Sequence, residues 1–489
     1  MIPKKETNNI LPPLLFAGTT PGEKKYILRL KKEGKIRSLA LKLYTPLLDE
    51  EVKDVVRSSW ATIVGRLYPE AVVSFSTAIT YLPSSEGSVF ITGATNKDVK
   101  LPGLTIKMTR GLGALPDDYE YMGARVSSTA RALLENLASV KKTDLEKVCP
   151  REDIEKKLEN ILHAKGEGDL NKLRDEARNV ANSLDMASEF KKLEQIIGAL
   201  LGTRKDNTLK SKEAVARSMG LPFDPQCLIR LETLFSYLKN NPLKEIIESR
   251  TKPDHFMNKC FFECYFSNFI EGTKFEVEVA ASIVFDNQLP KARPIDAHDI
   301  LGTYKLIANK NEMRVTPNSP NELEKIIQSR HRVLFEKRPD IRPGEYKESI
   351  NRAGNTVFVH PELVNGTFQK GFEIYESLSA GLERAIFIQF LISDVHPFND
   401  GNGRLSRIMM NSELIKSGLT TIIIPNIYRD DYLTNLKGLS KRHDPKGYVR
   451  MLYKAHEFSD LDFSSYPDVF KILTEKNWFQ EASGFSIII

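Results

Sequence analysis

The sequence predicts a multidomain, mostly α-helical protein in which an α/β N-terminal region precedes a helical C-terminal half. The chain has 489 residues, enough for about three domains of roughly 150 residues each. Charged amphipathic patterns dominate residues 141–255, and apolar residues at helical spacing recur over 378–391. Strand-like runs bounded by turn residues lie near the N-terminus, at 71–76 and 88–93.

Composition excludes several classes of protein. Hydrophobic residues make up 41% and charged residues 27% of the chain, which excludes a disordered, collagen-like or disulfide-framework protein. The net charge of +6 permits nucleotide or nucleic-acid partners without requiring them. Cys260 and Cys264 lie one turn apart on a predicted helix, and we interpret them as packed, reduced thiols.

Hydropathy gives no sign of a membrane partner. No apolar segment follows Met1–Glu6, and no run reaches the ~18 apolar residues of a membrane span. We therefore expect a cytoplasmic protein.

The N-terminal segment predicts a small basic unit over residues 1–45. Eight Lys or Arg residues and one Glu lie between Lys24 and Lys42, and Gly34 separates a helical pattern from a short strand. A helix, a glycine turn and a strand with this charge indicate a winged-helix-like unit that could bind DNA through residues 24–42. A solvated basic helix face is the alternative interpretation.

Residues 46–140 predict an α/β domain, in which Ser127–Ala130 begin a helix that runs through Leu137. Together with the basic unit and its strand Leu41–Thr45, this segment resembles the antitoxin family of abortive-infection systems. The resemblance implies an antitoxin-like N-terminal half. The charged helices of 141–255, broken near Gly166, are interpreted as a linking and packing region.

One short segment carries the strongest chemical signal. It reads His396-Pro397-Phe398-Asn399-Asp400-Gly401-Asn402-Gly403-Arg404-Leu405-Ser406-Arg407. An apolar helical pattern precedes it, and a second helix follows it as far as Gly418. Pro397 predicts an extended conformation at His396. Two glycines around an asparagine let backbone N–H groups converge at a helix N-terminus, where the dipole favours an anion.

The side chains of this motif fit transfer from a nucleotide. Arg404 and Arg407 are about one turn apart, so both can reach the same anion. Asp400 supplies the hard oxygen ligand that Mg²⁺ on phosphates requires. His396, as a residue type with an ordinary pKa of about 6.5, is suited to removing a hydroxyl proton.

The motif resembles the signature of Fic domains and matches it at every fixed position. The resemblance implies a protein adenylyltransferase, which transfers AMP from its co-substrate ATP to Ser, Thr or Tyr hydroxyls of target proteins and releases pyrophosphate. It implies that His396 is the catalytic base, that Phe398 anchors the loop and that Asp400 holds Mg²⁺ or Mn²⁺. The implied nucleotide-binding residues are Asp400, Gly401, Asn402, Gly403, Arg404, Leu405, Ser406 and Arg407. The intact Gly403 favours adenylyl over phosphoryl transfer.

Two flanking segments resemble further parts of Fic proteins. Residues 352–361 read as a hairpin similar to the flap that registers an extended target segment by strand pairing. The resemblance also assigns Thr356, Val357, Phe358 and Val359 of this segment to nucleotide binding. Arg429–Leu436 resembles the stretch that lines the adenine pocket. Leu433 departs from the second Tyr of that pattern, so only Tyr432 is assigned to nucleotide binding.

Ser267–Gly272 resembles the inhibitory motif of Fic proteins and ends an aromatic-rich predicted helix. The resemblance implies that Glu271 pairs with Arg407 and blocks the productive ATP pose, with Ser267 and Gly272 completing the motif. The predicted Fic domain spans 256–455, with the inhibitory helix at about 256–272 and the catalytic core at about 295–455. Residues 456–489 form a C-terminal extension.

The leading hypothesis is thus an autoinhibited protein adenylyltransferase. The same residues would serve a de-AMPylase in which Glu271 positions a water. A DNA-binding regulator that uses the Fic domain as a sensor is an alternative from a different class. A homodimer is compatible with the sequence.

Overall fold

The computed structural model describes residues 11–18, 20–204 and 209–481, and the chain divides into two compact units between Gly220 and Leu221. Helices dominate, and mixed sheets lie in the N-terminal unit, which confirms the predicted fold class. No helix among the described residues is long and apolar enough to cross a membrane. Met1–Glu6 and the last eight residues of the predicted C-terminal extension lie outside the described residues. The finer domain boundaries stay predictions.

The first unit begins with the basic segment. Helix α1, Pro21–Lys32, starts with a capping box in which Thr20 and Glu23 bind each other's backbone N–H groups. Gly34, with a φ of +67°, follows its end. The strands β1 (Leu15–Phe16), β2 (Arg37–Ala40) and β3 (Leu43–Thr45) form an antiparallel sheet in the order β1-β3-β2. The segment thus contains a helix followed by a hairpin, while the winged-helix-like unit and the antitoxin resemblance both stay predictions.

A six-stranded mixed sheet lies at the centre of the first unit. Its strands are β4 (Val72–Val73), β5 (Ser88–Gly93), β6 (Lys97–Leu101), β7 (Leu104–Arg110), β8 (Tyr119–Tyr121) and β9 (Ala124–Val126). In the order β6-β7-β5-β4-β9-β8, the β5–β7 and β4–β9 pairs are parallel and the others are antiparallel. The strand predicted over 71–76 is shorter because a helix begins at Phe75, whose N–H donates to the Glu135 carboxylate.

Helices cover this sheet and continue beyond it. They are α2 (Asp49–Ser58), α3 (Trp60–Leu67), α4 (Phe75–Thr80), α5 (Thr129–Asn136), α6 (Arg151–Leu184), α7 (Ala187–Leu200) and α8 (Lys212–Ser218). Gly166, with a φ of +83°, interrupts α6 at the predicted break. The apolar faces of α5, α6 and α7 pack into one core.

The second unit is helical apart from one hairpin. Its elements are α9 (Pro225–Asn240), α10 (Pro253–Ile270), α11 (Val277–Asp286), α12 (Pro294–Ile307), α13 (Lys310–Met313), α14 (Pro320–Leu334), β10 (Arg352–Ala353), β11 (Thr356–Val357), α15 (Val364–Glu376), α16 (Leu382–Val395), α17 (Asn402–Lys416), α18 (Arg429–Arg442), α19 (Pro445–Phe458) and α20 (Tyr466–Glu475). Almost every residue of α16 and α17 is buried, so these two helices form the centre of the unit. Helix α9 packs on α15 and α16 and therefore belongs to this unit.

Helix α10 is buried along most of its length among aromatic side chains of α20 and the segment after it. Cys260 and Cys264 are buried free thiols that donate to the carbonyls of Ile307 and Ile300, as the predicted packing requires. The helix ends at Ile270, next to α17. Glu271 is therefore carried to the start of α17 by a helix fixed in the core.

Candidate active site

The motif lies on the loop between α16 and α17, where the sequence predicted it. His396 follows α16 in the left-handed conformation, with φ +53° and ψ +59°, so the predicted extended conformation is wrong. Its N–H donates to the Ile392 carbonyl at 2.9 Å, and this helix-closing hydrogen bond outweighs the steric preference before Pro397. A non-glycine residue in this region stores strain, as residues at functional sites often do.

The imidazole of His396 is oriented from two sides. The Phe358 ring stacks on it at 3.7 Å with an interplanar angle of 5°. Nδ1 lies 3.2 Å from the Ser393 carbonyl oxygen, and because a carbonyl only accepts, the proton sits on Nδ1 and Nε2 keeps its lone pair. Burial lowers the pKa of His396 to about 4. The ring is therefore neutral at pH 7 and can accept a proton.

Three residues that the sequence analysis missed hold the loop in place. The His331 ring stacks on Phe398 at 3.9 Å, and its Nε2 lies 3.0 Å from the Asp400 carbonyl oxygen. The Asn351 amide donates to the Phe398 carbonyl at 2.9 Å, and Lys347 Nζ donates to Asn351 Oδ1 at 2.7 Å. None of them belongs to a motif, so only the fold reveals their role.

The start of α17 has the geometry expected of an anion site. Gly401 has a φ of +78°, and a Cβ there would lie 2.1 Å from the Phe335 ring, so only glycine fits. The Asn402 side chain accepts from the Phe398 N–H and donates to its carbonyl, at 2.9 and 2.8 Å. Asp400 Oδ1 accepts from the Gly401 N–H at 2.6 Å. These contacts leave the first N–H groups of α17 directed at one place.

Arg407 is bound to the end of α10. Its Nε donates to Ser267 Oγ at 3.0 Å, and Nη2 donates to the Ser267 carbonyl at 2.9 Å and to Glu271 Oε1 at 2.8 Å. A Cβ on Gly403 would lie 2.1 Å from the same Glu271 oxygen, so the carboxylate rests against the backbone of α17. Burial lowers the pKa of Arg407, but Glu271 and Tyr432 raise it on balance. The predicted Glu271–Arg407 contact is present, and Gly272 ends the segment with a φ of +96°.

Arg404 is held by an acidic residue that the sequence analysis missed. Its Nη1 donates to Asp299 Oδ2 at 2.8 Å and to Asn268 Oδ1 at 3.3 Å, and Arg338 shares the same Asp299 oxygen at 3.4 Å. Arg404 Nε and Arg407 Nη1 are buried and have no hydrogen-bond partner among the described residues. Buried donors without a partner are costly, and an anionic ligand would satisfy both.

The predicted metal ligand, Asp400, fits a divalent cation. Its side chain is 49% exposed beside the anion site, and its Oδ2 lies 4.0 Å from Arg338 and 3.9 Å from Arg404. Mg²⁺ commonly takes one or two carboxylates together with substrate phosphates and water. One exposed carboxylate next to the N-terminus of α17 meets this requirement.

The flap forms the predicted hairpin, with Arg352 paired to Val357 and Ala353 to Thr356. Val357 is 54% exposed, so the edge of the hairpin is open. Phe358 faces His396, as described above. Val359 is 1% exposed and lies in the core, so its side chain does not reach that edge.

Three other predicted nucleotide-binding residues have side chains directed into the protein, beneath the motif loop. Tyr432 is buried, its ring centre is 5.8 Å from the Arg407 guanidinium, and its hydroxyl accepts from Gln389 at 2.6 Å. Ser406 Oγ donates to the Gly403 carbonyl at 2.8 Å, and Leu405 belongs to the hydrophobic core. These side chains support the loop from below.

Comparison with known proteins agrees with this geometry. Residues 321–414 match the family model of the Fic/DOC family. The protein adenylyltransferase Fic of Drosophila persimilis is 27% identical over 228 residues, which cover 46% of this chain and 44% of that protein. The protein of the same name from Aedes aegypti is 28% identical over 193 residues, 38% of each chain. The chain thus spans less than half the length of these relatives.

Solved structures with some similarity are also Fic proteins. Fic-1 from C. elegans is 17% identical with a TM-score of 0.38, covering 66% of this chain and 90% of that one. A Fic domain containing signaling protein from Bacteroides thetaiotaomicron is 21% identical with a TM-score of 0.34, covering 52% and 100%. The family match over residues 321–414 contains the motif at 396–407, so the sequence comparison and the geometry of the motif point to the same part of the chain.

Proposed function

We propose that this chain is an autoinhibited protein adenylyltransferase that uses ATP. The observation that carries the proposal is the convergence of three features: the N-terminus of α17, two buried arginines with unused donors, and a neutral imidazole with a free Nε2. The relatives named protein adenylyltransferase Fic support the same activity.

The reaction follows from these groups. A hydroxyl oxygen of the target protein attacks the α-phosphorus of ATP, the bond from that phosphorus to the bridging oxygen breaks, and pyrophosphate leaves. His396 Nε2 takes the hydroxyl proton, while the α17 N–H groups and both arginines hold the phosphates. Asp400 would hold Mg²⁺, which neutralises phosphate charge when bound.

Autoinhibition follows from the position of Glu271. Its carboxylate occupies a donor of Arg407 and rests against Gly403, where the phosphates would bind. The side chain is 29% exposed and directly follows the last residue of α10, so a shift of that helix end would carry it away from Arg407. We propose that ATP binds productively only after Glu271 leaves, because two anions at this point repel each other.

Transfer of label tests the activity. With ATP labelled at the α-phosphate, protein should acquire label; with ATP labelled at the γ-phosphate it should not. His396→Ala should lower the transfer rate by about 10²–10⁴-fold and keep ATP affinity, because the phosphates are held by other groups. His298→Ala, a partly buried histidine on α12, is the matched control. Label from the γ-phosphate, or transfer by His396→Ala at the wild-type rate, contradicts the proposal.

The alternative de-AMPylase activity has its own signature. Release of AMP from a previously modified protein by the wild type, lost in Glu271→Gly, would assign hydrolysis to this site. The adenylyltransferase proposal instead expects Glu271→Gly to gain transfer.

For the basic unit we propose a second function, nucleic-acid binding through residues 24–42. Lys24, Lys25, Lys31 and Lys32 are exposed on α1, beside the β2–β3 hairpin. If they neutralise phosphates, affinity for duplex DNA should fall with salt by a log–log slope of about −0.9 per phosphate. Lys31→Glu with Lys32→Glu should flatten the slope, whereas the control pair Lys141→Glu with Lys142→Glu should not. Equal slopes would refute this function.

A further inference from the structure

A second cavity lies in the C-terminal unit, lined by none of the motif residues 396–407. Its volume is about 230 Å³, and its walls are α10, the end of α12 and the segments 248–251 and 415–421. This is larger than the ~150 Å³ of an engineered cavity that binds benzene. Apolar side chains on its wall include Phe256, Ile307 and Leu419. A small ring or short chain would therefore fit against them.

Two buried polar groups on this cavity have no hydrogen-bond partner among the described residues. His255 Nδ1 accepts from the Phe463 N–H at 3.0 Å, and the Asp462 carboxylate lies 3.3 Å from the same nitrogen. Because Nδ1 accepts the shorter hydrogen bond, the ring proton sits on Nε2, which is left without an acceptor. The Thr421 hydroxyl is the second group. Burial raises the pKa of the nearby Glu263 carboxyl, and Thr421 lies close enough to lower it slightly without a hydrogen bond of normal length. His255 is 2% exposed and Thr421 is 7% exposed. Both can donate to a ligand, and leaving them unsatisfied is costly.

The nearest carboxylate does not satisfy the His255 donor. Glu248 Oε2 lies 3.6 Å from Nε2, beyond hydrogen-bond distance. The same oxygen accepts from Lys259 Nζ at 2.6 Å and from Thr420 Oγ1 at 3.1 Å. This oxygen therefore already accepts two hydrogen bonds, and a ligand acceptor can take the His255 donor.

The charge on the lining is positive. Four basic side chains accompany two carboxylates, and these are Arg250, Lys259, Lys310, Arg314, Glu248 and Glu263. Lys259 neutralises Glu248, and burial raises the pKa of Glu263 to about 7, so much of it is uncharged at neutral pH. Lys310 and Arg314 are exposed, and no carboxylate of the described residues lies within 4.0 Å of either.

We propose that this cavity is a binding site for a small organic anion. The apolar part of the ligand lies against Phe256 and Leu419, and its anionic group accepts from His255 Nε2 and Thr421 Oγ1. Lys310 and Arg314 attract it from the open side. This site is separate from the ATP site, since its lining contains neither His396 nor Arg407.

Binding to the full chain tests the site. The probes are 4-fluorobenzoate and the uncharged 4-fluorobenzamide, which are similar in size, followed by fluorine NMR. We expect saturable binding of the benzoate and at least about tenfold weaker binding of the benzamide, since one favourable charge interaction of 1.4 kcal/mol is worth tenfold. Equal binding of both probes overturns the proposal. So does the absence of saturable binding at about 10 mM, where even a ~1 mM site is mostly filled.

Substitutions in the lining test whether the probe binds in this cavity. Thr421→Val keeps the shape and removes one donor, and it should weaken benzoate binding by roughly threefold to tenfold. Lys310→Ala with Arg314→Ala should weaken it by about tenfold. The control pair Lys305→Ala with Lys325→Ala removes exposed charges that do not line the cavity. Thermal unfolding of each variant verifies its fold, and benzoate affinity that is unchanged in folded Thr421→Val and Lys310→Ala/Arg314→Ala overturns the site.

The ligand would also act on the inhibitory segment, an inference that rests on the proposed function. Helix α10 supplies one wall of the cavity and ends just before Glu271. A ligand that binds better when α10 is in its present position stabilises that position. By linkage, it also favours the Glu271–Arg407 contact. Saturating 4-fluorobenzoate should therefore slow self-modification by the wild type and not by Glu271→Gly. Probe binding without this effect refutes the coupling, whereas absence of AMP transfer in every variant refutes the proposed function and leaves the binding result intact.

Discussion

Buried arginines of the two units differ in how completely their donors are used. In the first unit, Arg131 is 1% exposed and donates to Glu135 at 2.8 Å, to Asp118 at 2.7 Å and to two backbone carbonyls. In the second unit, Arg404 Nε and Arg407 Nη1 are buried and have no partner among the described residues. An unsatisfied buried donor costs about 1–3 kcal/mol. The difference distinguishes an arginine that holds a fold together from one that is kept for a ligand.

The second unit contains its own example of the structural kind. Arg330 is 1% exposed, and its Nε donates to Glu312 Oε1 at 3.0 Å. Its other nitrogens donate to the Ser412 hydroxyl and to the carbonyls of Glu312 and Val315, each within 2.8 Å. A buried guanidinium therefore does not by itself indicate a ligand site, whereas buried donors without a partner do.

Removing a fully used arginine should give the largest effect. Arg131→Met leaves Asp118 and Glu135 buried without their cation, which should lower the free energy of unfolding of the first unit by roughly 3–5 kcal/mol. Trp60 and Trp478 are the two tryptophans, one in each unit. In a Trp478→Phe background, the fluorescence of the buried Trp60 during denaturation reports the first unit alone.

The matched control for this change is Arg125→Met, the exposed residue of β9 in the same unit. We expect its unfolding midpoint to stay close to that of the background protein, because surface substitutions usually change stability by less than about 0.5 kcal/mol. Equal destabilisation by both variants would contradict the structural role of the Arg131 network. ATP affinity should be unchanged in both.

The motif at 396–407 could be read from the sequence because its chemistry is local. Glycines, arginines and an acid within twelve residues must lie together whatever the rest of the chain does. The start of α17 at Asn402 and its end just before Gly418 followed from ordinary start and stop signals. The Glu271–Arg407 contact joins positions 136 apart, and it was predictable only through a family resemblance. The conformation of His396 was mispredicted, because a helix-closing hydrogen bond outweighed the local rule for residues before proline.

The residues that were missed act across long sequence separations. Asp299 reaches Arg404 over 105 positions, and His331 reaches Asp400 over 69. Both are ordinary residues on amphipathic helices until α12 and α14 pack beside α17. The cavity beside α10 likewise depends on an extended segment around Ile247 that pairs with Leu419. Tertiary packing, which local patterns do not encode, creates these contacts.

A loop held by a neutral histidine should respond to acid. His331 accepts from the Gly344 N–H at 2.8 Å, and burial lowers its pKa from the ordinary 6.5 to about 4. Between these values the unfolded chain binds a proton that the folded chain does not. The free energy of unfolding therefore falls as the pH drops from 6.5 to 4, and the full contribution of His331 is present only above pH 6.5. This group alone can contribute up to about 1.4 kcal/mol per pH unit, or about 3 kcal/mol over the window.

Chemical denaturation in a Trp60→Phe background, read from Trp478, measures this dependence in the second unit. His331→Asn should reduce the pH slope between 6.5 and 4, while its stability at pH 8 reports the separate loss of stacking on Phe398. An unchanged slope would show that His331 is not held neutral. In that case the assignment of His331 as a residue that supports the loop would be contradicted.

The last prediction addresses Arg407, the arginine with an unused donor that also binds Glu271. Glu271→Gly should raise self-modification and target labelling by roughly tenfold to a hundredfold, the equivalent of a charged hydrogen bond of about 1.5–3 kcal/mol. The gain is expected because the freed Nη2 and the unused Nη1 can both bind phosphate. The control is Glu276→Gly, an exposed residue at the start of α11 where glycine is tolerated.

A double-mutant cycle with Arg407→Ala decides whether the contact is the cause. If Glu271 acts by occupying Arg407, the gain from Glu271→Gly should largely disappear when Arg407 is already alanine, since the partner being withheld is gone. Strong non-additivity of this kind is expected for residues in direct contact or in one hydrogen-bond network. If Glu271→Gly raised the rate equally in both backgrounds, Glu271 would be acting on another group, such as the N-terminus of α17. If Arg407→Ala also left ATP affinity unchanged, the unused donor would not be a ligand site, and the distinction from Arg131 would fail.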